Sequence, residues 1–166
     1  MAKYIERNLT SGKLKQVNGL VTSTGAPDAN KLVETDSSGK IDVSVLPTGV
    51  GPDVKLIVAS EAIGAGKYVN IWDDAGTAKV RLADASNGRD AHGFVKDAVL
   101  IAGTATVYFE SENDDLTGLT IGSRQYLDTA GGVTETPRAT GLHQFLGIAI
   151  SATSINVDID DAIELV

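Results

Sequence analysis

The chain has 166 residues, no cysteine and a formal net charge of −8. A chain of this length buries roughly 70% of its unfolded surface, so we expect a core that needs no disulfide or metal. The missing thiols exclude thiolate metal sites and thiol nucleophiles, and the acidic balance argues against chain-wide binding of nucleic acid. No apolar run approaches the ~18 residues of a membrane span, and the charged N-terminus lacks the apolar stretch of a signal peptide. We therefore expect synthesis in a reducing cytoplasm and no membrane partner.

The residue composition favours strands. Val, Ile and Thr together account for 43 of the 166 residues, and there are 18 glycines. Stiff β-branched side chains fit strands, and glycines supply the turns between them. The composition predicts a mainly β protein.

Charge and aromatic residues divide the chain near Pro52. Residues 1–52 hold 6 basic and 5 acidic residues and a single aromatic, Tyr4, whereas residues 53–166 hold 8 basic and 17 acidic residues and the other 7 aromatics. We predict an extended N-terminal arm over residues 1–52, too poor in apolar residues to fold alone, and a body over residues 53–166.

Basic residues are concentrated at the start of the arm. In the first 20 positions, Lys3, Arg7, Lys13 and Lys15 stand against Glu6 alone. We expect these cations to add a salt-sensitive part to the binding of a partner.

The later part of the arm, residues 32–46, has a strand-like pattern. Ile41, Val43 and Val45 alternate with polar residues, as on one face of an extended chain. Because Asp36–Gly39 has the composition of a tight turn, the pattern predicts a hairpin centred on that turn. An isolated hairpin is marginal in water, so its apolar face would need a neighbour.

The body has short apolar or alternating runs separated by turn residues. Strands are predicted at residues 54–59, 67–72, 78–82, 93–95, 99–101, 104–110, 124–127, 133–136, 145–151 and 154–160. Many short strands at this spacing predict an antiparallel β-barrel or β-sandwich.

Candidate catalytic and phosphate motifs fail on their spacing. Gly64–Lys67 looks like part of a Walker loop, but that loop needs Gly at 61 and Ser or Thr at 68, where the chain has Glu61 and Tyr68. A hairpin turn is the better interpretation. His92 and His143, the two histidines, are 51 positions apart, and a zinc site that used both would need a carboxylate as third ligand. His92, beside Gly93, is expected to be a turn or surface residue.

Two acidic stretches gather oxygen donors without forming a known motif. Glu112–Asp115 and Asp158–Asp161 do not match the spacing of an EF-hand loop, so solvated loops are the expectation. A hydrolase that uses two carboxylates stays open, because 22 acids can pair in many ways. Apart from that alternative, the sequence predicts no catalytic residue, no cofactor and no metal ligand, and we expect a protein that is not an enzyme.

The stretch LVETDSSGKIDVSVLP at residues 32–47 resembles a known link. Virion proteins of tailed bacteriophages carry the pattern TD-x-x-G-K-I-D-x-S-x-L-P between an N-terminal segment and a β-rich domain. Residues 65–86, 91–95 and 116–151 are similar to small phage structural modules, with turn glycines at corresponding places. The resemblance covers residues 32–166.

This resemblance implies a capsid decoration or head-fibre protein. Decoration proteins are typically trimers of β-barrel or tulip-like domains that sit over junctions between major capsid proteins. The implied partners are therefore the major capsid protein and further copies of this chain, with neither nucleic acid nor membrane, and the implied location is the capsid surface after synthesis in the host cytoplasm. The runner-up is a tail or baseplate component that binds a receptor or glycan.

If the arm is the anchor, its basic and apolar residues are the candidate contacts. The residues expected to touch the capsid or a neighbouring subunit are Tyr4, Arg7, Lys13, Lys15, Ile41, Val43 and Val45.

Overall fold

The computed structural model describes residues 3–46 and 53–165. The chain divides into two compact units, Met1–Gly51 and Pro52–Val166, which are described separately. Nearly all of the regular structure is β, as the composition predicts. Within the described residues, no helix has the length and apolar character needed to span a membrane.

The first unit begins with a β-hairpin that the sequence analysis did not predict. Strand β1 (Lys3–Arg7) pairs antiparallel with strand β2 (Leu14–Asn18). Asn8 begins the connecting turn, because its side-chain oxygen accepts the N–H groups of Thr10 and Ser11 at 2.9 and 3.1 Å. An Asx turn of this kind reverses the chain without help from distant residues.

The predicted hairpin over residues 32–46 is wrong, although its central turn is present. The N–H of Asp36 donates to the carbonyl of Lys40 at 2.8 Å, which closes the turn. No strand follows, because Val43–Val45 is a 3₁₀ turn instead. Ile41, Val43 and Val45 therefore do not share one face of a strand.

A side-chain cap explains this local structure. The carboxylate of Asp42 accepts the N–H of Ser44 at 2.9 Å and begins the 3₁₀ turn. Asp and Ser side chains that bind nearby amides compete with strand pairing in this way. A second 3₁₀ turn, Ala26–Asp28, lies earlier in the unit, and an isolated parallel bridge joins Leu20 to Val33.

The second unit contains a closed five-stranded barrel with the order β3-β5-β4-β6-β7. Its strands are β3 (Val54–Ala59), β4 (Tyr68–Asp74), β5 (Thr77–Leu82), β6 (Gly93–Val95) and β7 (Thr104–Tyr108). All neighbours are antiparallel except β3 and β5, which pair in parallel over two residues. Small and branched side chains form its buried core: Ile57, Ala59, Ile63, Val69, Val80, Val95, Ala105 and Val107.

Beside the barrel lies an antiparallel sheet with the order β10-β9-β12-β13-β8. Its strands are β8 (Ser111–Asn113), β9 (Arg124–Leu127), β10 (Val133–Thr134), β12 (Phe145–Ala149) and β13 (Ile155–Val157), and a separate pair is formed by β11 (Gly141–His143) and β14 (Ile163–Leu165). The predicted β-barrel class is confirmed. The strand predicted at residues 99–101 is wrong, since this stretch is a turn with a single bridge from Val99 to Ile63.

A second core joins the sheet to the outside of the barrel. Tyr68 and Phe94 are fully buried, with ring centroids 6.0 Å apart, and they belong to one cluster with Leu127, Leu146 and Ile155. Along β4, Tyr68 packs in this cluster while Val69 packs in the barrel core. Because successive side chains of a strand point to opposite faces, β4 contributes side chains to both cores.

Candidate interaction surfaces

The two faces of the β1–β2 hairpin differ in burial and charge. Residues paired directly across an antiparallel ladder share a face. Tyr4 pairs with Val17, and Glu6 pairs with Lys15, so these four lie on the inner face. Tyr4 and Val17 are half-buried, and Lys15 Nζ lies 2.6 Å from Glu6 Oε1.

The other face is exposed at every position. It carries Ile5 and Leu14, whose side chains are 60% and 69% exposed. Lys3 and Arg7 flank them, and Arg7 Nη1 donates to the carbonyl of Gly12 at 3.1 Å. An apolar pair bordered by two cations is therefore presented to solvent.

The hairpin tip continues this surface. Leu9 is 95% exposed. Lys13 is exposed as well, but it lies opposite Asn8 and next to Leu14, so the alternation of the ladder places it on the side of Lys15. We call Lys3, Ile5, Arg7 and Leu14, with Leu9 at the tip, the outward hairpin face. The single acid of the first 20 residues, Glu6, lies on the opposite side, so the outward hairpin face carries two cations and no acid.

The structure separates the seven predicted contact residues into three groups. Arg7 is at the turn end of the outward hairpin face, whereas Tyr4, Lys13 and Lys15 are on the inner side. Ile41 and Val43 are 54% and 64% exposed, and Val45 is half-buried. Their role as contacts stays a prediction.

Sequence reasoning missed Ile5, Leu9 and Leu14. The turn composition of Asn8–Gly12 could have indicated the hairpin, since Asn, Thr, Ser and Gly favour tight turns. Which side chains face outward depends on the pairing register, which the composition does not contain.

The second unit has a cavity of about 550 Å³, which we call the acidic groove. Five acidic residues, two aliphatic residues and one aromatic ring are prominent in its lining: Asp90, Glu110, Asp158, Asp160, Asp161, Val157, Ile159 and Phe109. In the described part of the chain, neither lysine nor arginine lines this groove. Asp90 is paired with His92, and the other four carboxylates have no ion-pair partner among residues 3–46 and 53–165.

His92 has a structural role at the edge of this groove. Its Nδ1 accepts the N–H of Ile71 at 2.9 Å, so in the neutral ring the proton is on Nε2. That nitrogen lies 3.1 Å from Asp90 Oδ2 and donates to it. Both ring nitrogens are thereby engaged, and within the described ranges no group of three or more His, Asp or Glu is arranged to hold a metal ion.

Two other motifs also serve the fold. Within Gly64–Lys67, the N–H of Gly66 donates to the carbonyl of Val95, and the carbonyl of Gly66 accepts from Asn113 at 2.9 Å. This segment is the turn before β4, as expected. Burial raises the pKa of Tyr68 far above its ordinary range, so the phenol is a neutral core group.

The chain is weakly similar to a solved structure. No protein-family model and no curated protein matches the chain. Among solved structures, the N base of head fiber gp8.5 from bacteriophage phi29 is 8% identical, with a TM-score of 0.46, over 65% of this chain and 95% of that one. This level of likeness does not establish a shared fold, so the function has to be argued from the residues of this chain.

Proposed function

We propose that this chain is a structural virion protein of a tailed bacteriophage, and that it binds the outside of the capsid. The observation that carries the proposal is the segment TDSSGKIDVSVLP, at residues 35–47, which resembles the link of phage virion proteins. Pro47 lies outside the described residues. Of the eight other fixed positions of the pattern, four have a role in a turn, a cap or a side-chain hydrogen bond: Asp36, Gly39, Asp42 and Ser44.

The two aspartates of this link form a turn and a cap. Asp36 Oδ1 accepts the N–H groups of Ser38 and Lys40, at 2.8 and 2.9 Å, and Gly39 has a φ of +76°, which glycine adopts without strain. Asp42 caps the 3₁₀ turn that follows. The pattern thus encodes a defined pair of turns, which supports treating it as a structural motif and not as chance composition.

The link is also tied to an earlier part of its own unit. Ser44 Oγ accepts the N–H of Ser23 at 2.8 Å. With the polar atoms used in this way, the side chains of Ile41 and Val43 remain exposed. Exposed aliphatic side chains in a small unit favour burial against a partner, and we assign that partner as the major capsid protein.

In this proposal the protein acts by binding and performs no chemistry. A protein that binds the assembled shell but not its free subunits stabilises the shell by mass action, by about 2.7 kcal/mol per site at 100-fold excess over Kd. We further propose that it decorates the shell as a homotrimer, so that each bound unit reinforces a junction between capsid proteins.

The test uses capsids, stripped of this protein, from the phage that encodes it. The full chain should co-sediment with them at hundreds of copies per particle, and Ile41→Asp/Val43→Asp should bind at least tenfold more weakly. Ile121→Asp is the matched control, because Ile121 is an equally exposed isoleucine in the other unit.

Two results would overturn the proposal. The first is that the wild-type chain does not bind these capsids at all. The second is a stoichiometry of only a few copies per particle, which would favour the tail or baseplate alternative.

A further inference from the structure

The outward hairpin face and the acidic groove are complementary in charge and in polarity. The first carries two cations, Lys3 and Arg7, around exposed Ile5 and Leu14, with no acid. The second carries five acids around Phe109 and Ile159, with neither lysine nor arginine among its described lining residues. Each surface thus has the groups that would neutralise and cover the other.

We propose that the outward hairpin face is an interaction surface for a second copy of this chain, and that it docks on the acidic groove of that copy. The inference goes beyond capsid binding and is tested without capsids. It commits to a second copy because the acidic partner surface that the hairpin requires is present on the chain itself. Residues 53–166 hold 17 acidic against 8 basic residues.

The hairpin suits a protein surface better than a nucleic acid. Non-specific binding of single strands uses stacked aromatic rings and many phosphate contacts. The one aromatic ring of the hairpin, Tyr4, is half-buried on the inner face. Two strand aliphatic residues between cations are typical of the apolar centre and charged rim of a protein interface.

Overall charge opposes association only weakly. Two copies of net charge −8 repel each other, but this repulsion is screened beyond about 8 Å at physiological salt. At contact, Lys3 and Arg7 would meet carboxylates that have no other cation. Short-range attraction and burial of Ile5 and Leu14 would therefore decide the outcome.

A contact between two different surfaces is heterologous. Such contacts build either a closed ring or an open chain of copies. A ring of three would satisfy every hairpin and every groove, which agrees with the proposed homotrimer. The docking contact would then be the physical basis of that assembly.

The experiment is a charge swap in the full chain. One variant reverses the hairpin, Lys3→Glu/Arg7→Glu, and the other reverses the groove, Asp158→Lys/Asp160→Lys/Asp161→Lys; all five side chains belong to exposed residues. Sedimentation equilibrium should show a wild-type oligomer at micromolar concentration, and each variant alone should associate at least tenfold more weakly. An equimolar mixture of the two variants should associate more strongly than either variant alone, because the reversed hairpin of one then meets the reversed groove of the other. A ring of three always keeps one unmatched contact in such a mixture, so the recovery should be partial.

The controls separate this effect from misfolding and from a general change of charge. Lys40→Glu/Lys55→Glu makes the same change in net charge as the hairpin variant, at exposed positions outside both surfaces, and should associate like the wild type. Circular dichroism should show the same β content in every variant.

Three results would overturn the inference. They are a wild-type monomer at about 100 µM, variants that associate normally, and a mixture that fails to recover. Binding to phosphatidylglycerol vesicles in place of self-association would also overturn it, in favour of a lipid surface. None of these results would affect the capsid-binding assay, so the two proposals can fail separately.

Discussion

The side chain of Gln144 is paired in both directions with the backbone of Ala91. The N–H of Ala91 donates to Gln144 Oε1 at 2.7 Å, and Gln144 Nε2 donates back to the carbonyl of Ala91 at 2.9 Å and to that of Asp160 at 3.0 Å. Gln144 is 2% exposed. One amide therefore joins the loop before β6 of the barrel to the residue before β12 of the sheet, and it fixes one wall of the acidic groove.

This relationship predicts a large loss of stability for Gln144→Leu. The substitution would leave the buried N–H and carbonyl of Ala91 without partners, at a cost of about 3 kcal/mol in the free energy of unfolding. Urea denaturation of the full chain measures the loss. Gln16→Leu is the control, because Gln16 is exposed on β2 and its replacement should cost within about 0.5 kcal/mol. Equal midpoints for the two variants would contradict the prediction.

Strand prediction succeeded where local pattern and turn residues agreed. Val54–Ala59, Gly93–Val95 and Arg124–Leu127 have the predicted bounds, because each is an apolar or alternating run next to turn residues. The sequence predicts an acidic loop at Glu112–Asp115, but Glu112 and Asn113 belong to strand β8. This strand forms because Ser111–Asn113 pairs with β13 and because buried Asn113 donates to the carbonyl of Gly66. Both contacts are with residues distant in sequence, so the local sequence pattern does not predict them.

In the first unit, an alternating pattern predicts a strand that the structure does not have. Alternation of Ile41, Val43 and Val45 predicts a strand, yet the caps at Asp36 and Asp42 satisfy the backbone locally and hold turns. The sequence shows that the first 20 residues are rich in cations. That Glu6 lies on the opposite face became evident only with the pairing register.

The close approach of the barrel to the β9–β10 turn depends on a glycine. Gly131 has a φ of +67°, and a Cβ there would lie 2.6 Å from the carbonyl oxygen of Tyr68, whose own N–H donates to the carbonyl of Gly131. Gly88 has a similar φ of +77° with nothing within 4 Å of its Cβ position. We expect Gly88→Ala to cost about 1 kcal/mol, for the backbone conformation alone, and Gly131→Ala to cost about 3 kcal/mol or more. Thermal unfolding compares the two, and equal melting temperatures would show that the close approach is not needed.

Acid should loosen the first unit through Asp28. Its carboxylate accepts hydrogen bonds from Lys31 Nζ, at 2.6 Å, and from the N–H and hydroxyl of Thr24, at 2.6 and 2.8 Å. The bond from Lys31, and then those from Thr24, lower the pKa of Asp28 to about 2. Because the folded pKa is below the unfolded value near 4, Asp28 stabilises the unit above pH ~4, and this stabilisation is lost as the pH falls towards 2.

The amide resonance of Thr24 reports this titration. In the wild type its chemical shift should change with a midpoint near pH 2, and Asp28→Asn should remove the change. A midpoint near 4 in the wild type would mean that these hydrogen bonds do not favour the ionised carboxylate.

We expect the stability of the second unit to fall in acid as well, because of the contacts of Asp84. Its Oδ1 accepts the N–H and the hydroxyl of Ser86, and its Oδ2 accepts the N–H of Ala130 at 3.1 Å, so one carboxylate links the end of β5 to the β9–β10 turn. Partial burial would raise the pKa of Asp84, but the bonds from Ser86 and Ala130, together with the charge of Arg89, outweigh burial and lower it.

A depressed folded pKa means that Asp84 stabilises the fold above its unfolded pKa near 4 and that this contribution is lost on acidification. Asp84→Asn keeps the shape of the side chain but replaces one acceptor oxygen with a donor. We therefore expect it to cost about 1–2 kcal/mol at pH 7 and to flatten the fall in stability below pH 4. Urea denaturation at pH 7 and pH 3 gives both values. Asp97→Asn should leave both unchanged, because no ion pair or side-chain hydrogen bond involves Asp97 among the described residues. If Asp84→Asn is less stable than the wild type by the same amount at pH 3 as at pH 7, the Asp84 carboxylate is not the group whose protonation weakens this contact.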